Sequence, residues 1–129
     1  MQATGSFDVK LASQPDPALE SAGLGRRGID KQFRGDLEAH SLGAMLSTGT
    51  EVPGSAGYVA LERVTGTLHG RHGSFALQHH GLMKRGEPSL SVVVVPDSGT
   101  GELAGLEGAM TIRIDDGAHS YTFEYSLPA

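Results

Sequence analysis

The chain has 129 residues, with 10 basic and 15 acidic side chains for a formal net charge of −5, and no cysteine. That length suits one domain, which buries roughly 65% of its unfolded surface and so supports a hydrophobic core. Without cysteine there are no disulfides, thiolate metal sites or thiol nucleophiles, and without a cluster of Lys and Arg nothing draws nucleic acid.

The first residues, MQATGSFDVK, show no basic segment leading into an apolar run. The longest strictly apolar run, VVVV at 92–95, falls far short of the ~20 residues of a membrane helix. A cytoplasmic protein without membrane association is expected.

Nineteen glycines interrupt nearly every stretch that could hold a long helix. What remains alternates with period two: Phe7–Ser13, Ile29–Arg34, Glu38–Ser47, Tyr58–His69, Ser74–Lys84, Leu90–Val95, Gly108–Asp115 and Ala118–Leu127. About eight short strands joined by tight turns predict an all-β sandwich or barrel over a single domain, residues 1–129. Between the first two strands, QPDPALESAGLG (14–25) reads as a surface loop covering one end. PDSGTGELAGLEG (96–108) has room for at most one helical turn, capped by Asp97 or Ser98.

Turn chemistry assigns the faces. A turn at Gly35 and Asp36 pairs Ile29 with Leu42, Lys31 with His40 and Phe33 with Glu38. In GRHGSFALQHHG (70–81), a loop at Arg71 and His72 pairs Leu68 with Phe75, Gly66 with Leu77, Val64 with His79 and Glu62 with Gly81. The KRGE turn sets Leu90, Val92 and Val94 beside Gly81, His79 and Leu77. A turn on Asp116 and Gly117 pairs Ile114 with His119, Ile112 with Tyr121, Met110 with Phe123 and Gly108 with Tyr125.

The inner faces so defined are apolar except for Lys31, Glu38, His40, Tyr58, Glu62, His79 and Tyr121. A solid core does not readily admit so many ionisable groups. A closed eight-stranded antiparallel β-barrel with a partly polar lumen does, and closure also removes exposed sheet edges.

The stretches GYVALERVTGTLHGRHGSFALQHHG (57–81) and VVVVPDSGTGELAGLEG (92–108), through their combination of ER, GSF, LQH and SGTGEL, resemble the bacterial family catalogued as domain of unknown function 3224. The resemblance implies an allene oxide cyclase-like barrel, lipocalin-like in outline. It implies no reaction: cyclases and isomerases of apolar substrates occur among related barrels, but none of their catalytic residue patterns is present here.

Glu62 and His79 are the candidate catalytic pair. As diagonal neighbours on adjacent strands their β-carbons would lie roughly 6 Å apart, so the carboxylate could fix the imidazole tautomer and make it a general base. The plainer reading is a pair that satisfies itself inside the barrel and fixes strand register. Lys31 and His40 form a second inner pair. Tyr58 and Tyr121 could orient a ligand oxygen, with Phe75 and Leu77 as apolar lumen wall. Gln78 falls outward with Arg63 and His80, and becomes a ligand contact if a bulge at Gly66 or Gly81 turns the faces over.

No metal site or cofactor is expected: His79 and His80 point to opposite faces, and SGTGEL lacks the Lys of a phosphate loop. The expected function is binding of a small, mostly apolar molecule in the lumen, with two rivals: an isomerase or cyclase using His79 and Glu62, and a filled barrel with a structural or protein-binding role. Val59, Leu61, Val93 and Val95 point outward, which predicts a patch covered by the 14–25 loop or by a second subunit of a homo-oligomer.

Overall fold

The computed structural model describes residues 1–129. Eight antiparallel strands close into one barrel in chain order, β8 returning to β1. They are β1 (Gln2–Ser13), β2 (Gly25–Gly35), β3 (Leu37–Gly49), β4 (Ala56–Leu68), β5 (Arg71–Lys84), β6 (Glu87–Val94), β7 (Glu107–Asp115) and β8 (Ala118–Ser126). The eight alternating segments each fall on one of them.

Three hairpins share one turn chemistry. His69–Gly70, Arg85–Gly86 and Asp116–Gly117 have φ of 46° and 79°, 49° and 90°, and 50° and 79°. Two successive left-handed residues give the turn whose twist matches that of the flanking strands. The β5–β6 and β7–β8 registers are those read from the sequence, with His79 opposite Val92 and Ile112 opposite Tyr121.

Two registers differ. The β4–β5 turn is His69–Gly70, not Arg71–His72, so Val64 faces Phe75, Glu62 faces Leu77 and Ala60 faces His79. The displacement is an even number of residues, so every side chain keeps its face. Between β2 and β3 the connection centres on Asp36, and Lys31 faces Ser41 while Gln32 faces His40. Asp36 is drawn away by β1: its amide donates to Thr4 O (3.1 Å) and its Oδ2 accepts from Thr4 N (2.9 Å). That single-residue shift turns β3 over, moving Ser41 in and His40 and Glu38 out. Neither Gly66 nor Gly81 is a bulge, since the β3–β4 and β4–β5 ladders run without a break.

The 14–25 segment is not wholly loop. It holds a short helix, α1 (Pro17–Ser21), with Asp16 Oδ1 accepting from Ala18 N and Leu19 N and a proline at its start. None of its residues is buried.

The barrel has one plugged end and one open end. At the plugged end lie the β2–β3 and β4–β5 turns and the β6–β7 connection. That connection runs along β5, with Ser98 Oγ accepting from Ala76 N and Thr100 N donating to Ser74 O (2.8 Å). A 3-10 turn, Gly101–Leu103, then lowers Leu103 and Leu106 into the barrel, both fully buried. They seal a core built on Phe33, Phe75, Phe123, Leu37 and Leu68. The glycines of SGTGEL serve this approach: a Cβ on Gly99 would lie 1.9 Å from Leu103 O.

At the other end the inward faces are uncovered. Leu11, Met83, Leu90 and Ile114 belong to the inward-pointing sets of their strands yet are 44 to 64% exposed. The seam between β6 and β7 contributes to this, being laddered at a single pair, Val93 and Ala109.

Candidate functional site

Four buried polar side chains meet where the filled half of the barrel gives way to the open half. They are Lys31 of β2, Ser41 of β3, Glu62 of β4 and His79 of β5, each 5% exposed or less. Glu62 is the hub: its Oε2 accepts from Lys31 Nζ (2.9 Å) and His79 Nε2 (2.6 Å), and its Oε1 from Ser41 Oγ (2.8 Å). Gly43, opposite Glu62, allows the close fit, because a Cβ there would lie 2.8 Å from Glu62 Cβ.

Charge is balanced within the cluster. The Lys31 ammonium lies 4.7 Å from the Phe7 ring centre and 5.4 Å from that of Phe33. Burial opposes ionisation of Glu62, but the hydrogen bond from His79 and the Lys31 charge, aided by the charge His79 carries when protonated, prevail and lower its carboxyl to about 2. Glu62 is therefore a carboxylate.

His79 keeps one ring nitrogen for something else. Its Nε2 is spent on Glu62, while Nδ1 has no protein partner. Since no buried side-chain nitrogen or oxygen is left unpaired, Nδ1 belongs to the small accessible part of this residue. The next inward position toward the mouth is Gly81, and the Tyr58 ring lies across it, its centre 6.4 Å from that of His79. Burial and the Glu62 charge push the Tyr58 phenol up, so it stays protonated, and its hydroxyl has no protein partner.

The remaining sequence candidates lie elsewhere. His40 is on the outer surface, where Nε2 pairs with Asp30 Oδ1 at 2.6 Å, a correction that follows from the shifted β3 register. Tyr121 is buried, and its hydroxyl is committed to the β2–β3 turn, accepting from Leu37 N (2.9 Å) and donating to Arg34 O (3.0 Å). Phe75 and Leu77 are sealed in the core, out of a ligand's reach. Gln78 lies on the outer wall, where a hollow of about 480 Å³ spans β3, β4 and β5 beside Leu19 of α1. Val59 and Leu61 line that hollow and stay exposed, so α1 borders the outer apolar patch without covering it.

Sequence reasoning missed Ser41, hidden by the one-residue slip of β3. It also missed a chain at the plugged end, where His69 Nδ1 bonds the Tyr125 hydroxyl and His69 Nε2 lies 3.5 Å from Asp36 Oδ2. This chain joins two turns to β8. The signal for it was the HG dipeptide, since histidine is among the few residues that tolerate φ above zero.

The family model described as "Protein of unknown function (DUF3224)" matches residues 3–125. The chain belongs to the DUF3224 family. A DUF3224 protein of unknown function from Shewanella oneidensis MR-1, known from a crystal structure at 1.84 Å, is 52% identical to it. The similarity covers 100% of this chain and 98% of that one, with a TM-score of 0.94. No curated protein matches this DUF3224 chain.

Proposed function

We propose that this DUF3224 barrel binds a small, mostly apolar molecule at the open end of its lumen, above the Lys31–Glu62–His79 cluster. The observation that carries the reading is the contrast between the two ends. Inward-facing Leu11, Met83, Leu90 and Ile114 are uncovered at the mouth, while Leu103 and Leu106 plug the opposite end. Apolar side chains turned inward but left wet gain free energy when an apolar molecule covers them, at ~25 cal/mol per Å². His79 Nδ1 and the Tyr58 hydroxyl supply the few convergent polar contacts such sites use. A cytoplasmic location belongs to the same proposal and rests on the cysteine-free composition.

Titration with the apolar fluorophore anilinonaphthalene sulfonate tests it. Saturable binding is expected, weakened at least ~10-fold, or ~1.4 kcal/mol, by Leu90→Asp or Ile114→Asp and unchanged by Val59→Asp on the outer wall. Loss of binding in the Val59 variant alone would move the site to the outer hollow and overturn the proposal. Native mass spectrometry of tag-free protein reads any molecule carried through purification as mass lost on denaturation.

A further inference from the structure

We infer that His79, positioned by Glu62, is a general base that shifts a proton within an apolar carbonyl compound bound at the mouth. The inference rests on the binding reading above and names the ligand's class and fate.

Glu62 directs the imidazole. Because Oε2 accepts from His79 Nε2 at 2.6 Å, the neutral ring carries its N–H there and its lone pair on Nδ1, the accessible nitrogen. A base needs that orientation, and a carboxylate behind the ring steadies the imidazolium formed on proton uptake. Ser41 and Lys31 hold the carboxylate in turn, so the arrangement is set before any ligand arrives.

Charge balance points to the class of substrate. Lys31 and Glu62 cancel, leaving the cluster neutral with neutral His79. When His79 takes a proton the cluster becomes +1 and the deprotonated molecule −1, so the site as a whole stays neutral in a poorly solvated place. An apolar molecule with a C–H acidic enough for imidazole has that C–H next to a carbonyl. The developing enolate oxygen then needs a donor, and the free, protonated hydroxyl of Tyr58, whose ring centre lies 6.4 Å from that of His79, is one.

For a β,γ-unsaturated ketone the step balances without any co-reactant. The α C–H bond breaks, its proton forms Nδ1–H, and its electron pair enters the enolate held by Tyr58. Nδ1–H then breaks and its proton forms the γ C–H bond, while the double bond moves into conjugation and His79 returns to neutral.

Cyclohex-3-en-1-one is the probe, its conversion to the conjugated isomer followed by ultraviolet absorbance, with displacement of anilinonaphthalene sulfonate measuring binding in the same samples. Conversion at least ~100-fold above buffer is expected. It should fall to the buffer rate in His79→Gln and drop ~10-fold or more in Tyr58→Phe, which touches no protein hydrogen bond. Glu62→Gln should lower kcat at little-changed KM, the mark of a positioning residue rather than of lost folding. If the fluorophore binds and the ketone displaces it unconverted, or does not displace it at all, the proton-shift inference fails and the binding reading stands. If the fluorophore does not bind, the binding reading fails and takes this inference with it.

Discussion

Lys31 Nζ and Glu62 Oε2 lie 2.9 Å apart across the width of β3, from side chains 6% and 0% exposed. Neither charge has water to fall back on, so removing one partner strands the other. Glu62→Leu leaves an ammonium between the Phe7 and Phe33 rings and is expected to cost about 3–5 kcal/mol. Adding Lys31→Met should recover at least ~1 kcal/mol of that loss, because the stranded charge disappears with it. Urea unfolding of the single and double variants gives the coupling. Additive values would mean that the pair is held by its surroundings rather than by mutual charge.

The same cluster makes stability depend on acid. The Glu62 carboxyl lies at about 2 in the folded chain against an ordinary 4.5, so the folded state holds the carboxylate more tightly than the unfolded one does. Its contribution, on the order of 3 kcal/mol, is complete above the ordinary value and is lost as pH falls from there toward 2. Melting temperatures measured across that window should decline in the wild type. In Glu62→Gln, starting from lower stability, the same window should show a shallower decline.

Tyr121 shows how the plugged end is tied. Its hydroxyl takes the amide of buried Leu37 and gives its proton to Arg34 O, joining β8 to a turn more than eighty residues away in sequence. Tyr121→Phe keeps the ring's packing against Phe33 but leaves that amide unpaired, at a cost of about 1–3 kcal/mol. Thermal unfolding reads the loss, and hydrogen exchange should locate it at Leu37. An unchanged Leu37 amide would show that another acceptor takes over.

These elements differ in how much of them is written locally. The Arg85–Gly86 and Asp116–Gly117 turns carry their chemistry in two adjacent residues, and the ladders they set were readable to the residue. The Glu62–His79 contact survived a misplaced turn for a geometric reason. Moving β5 by four residues carries His79 from one diagonal neighbour position of Glu62 to the other, on the same face. The β3 face could not be read this way, because Thr4, thirty-two positions before Asp36, decides where that turn sits. Ser41 was hidden and His40 misplaced for that one reason. Which half of the lumen is filled was equally out of reach, since it depends on Leu103 and Leu106 arriving from a connection with no strand pattern of its own.

The single-pair seam between β6 and β7 makes the last expectation. Beyond Val93 and Ala109 the facing edges of these strands have no ladder to protect them, whereas β4 and β5 are paired from Ala56–Met83 to Leu68–Arg71. Amide exchange should therefore be fastest along the β6–β7 edges toward the mouth and slowest at the centre of β4 and β5. Leu90 and Ile114 stand on either side of that seam, and an apolar molecule at the mouth would bridge them. Saturation with anilinonaphthalene sulfonate should then slow exchange at residues 89–91 and 111–114 and leave β3 and β4 beside the outer hollow unaltered. Uniform slowing across the barrel would instead report a general gain in stability, and no change along β6 and β7 would place the occupant elsewhere.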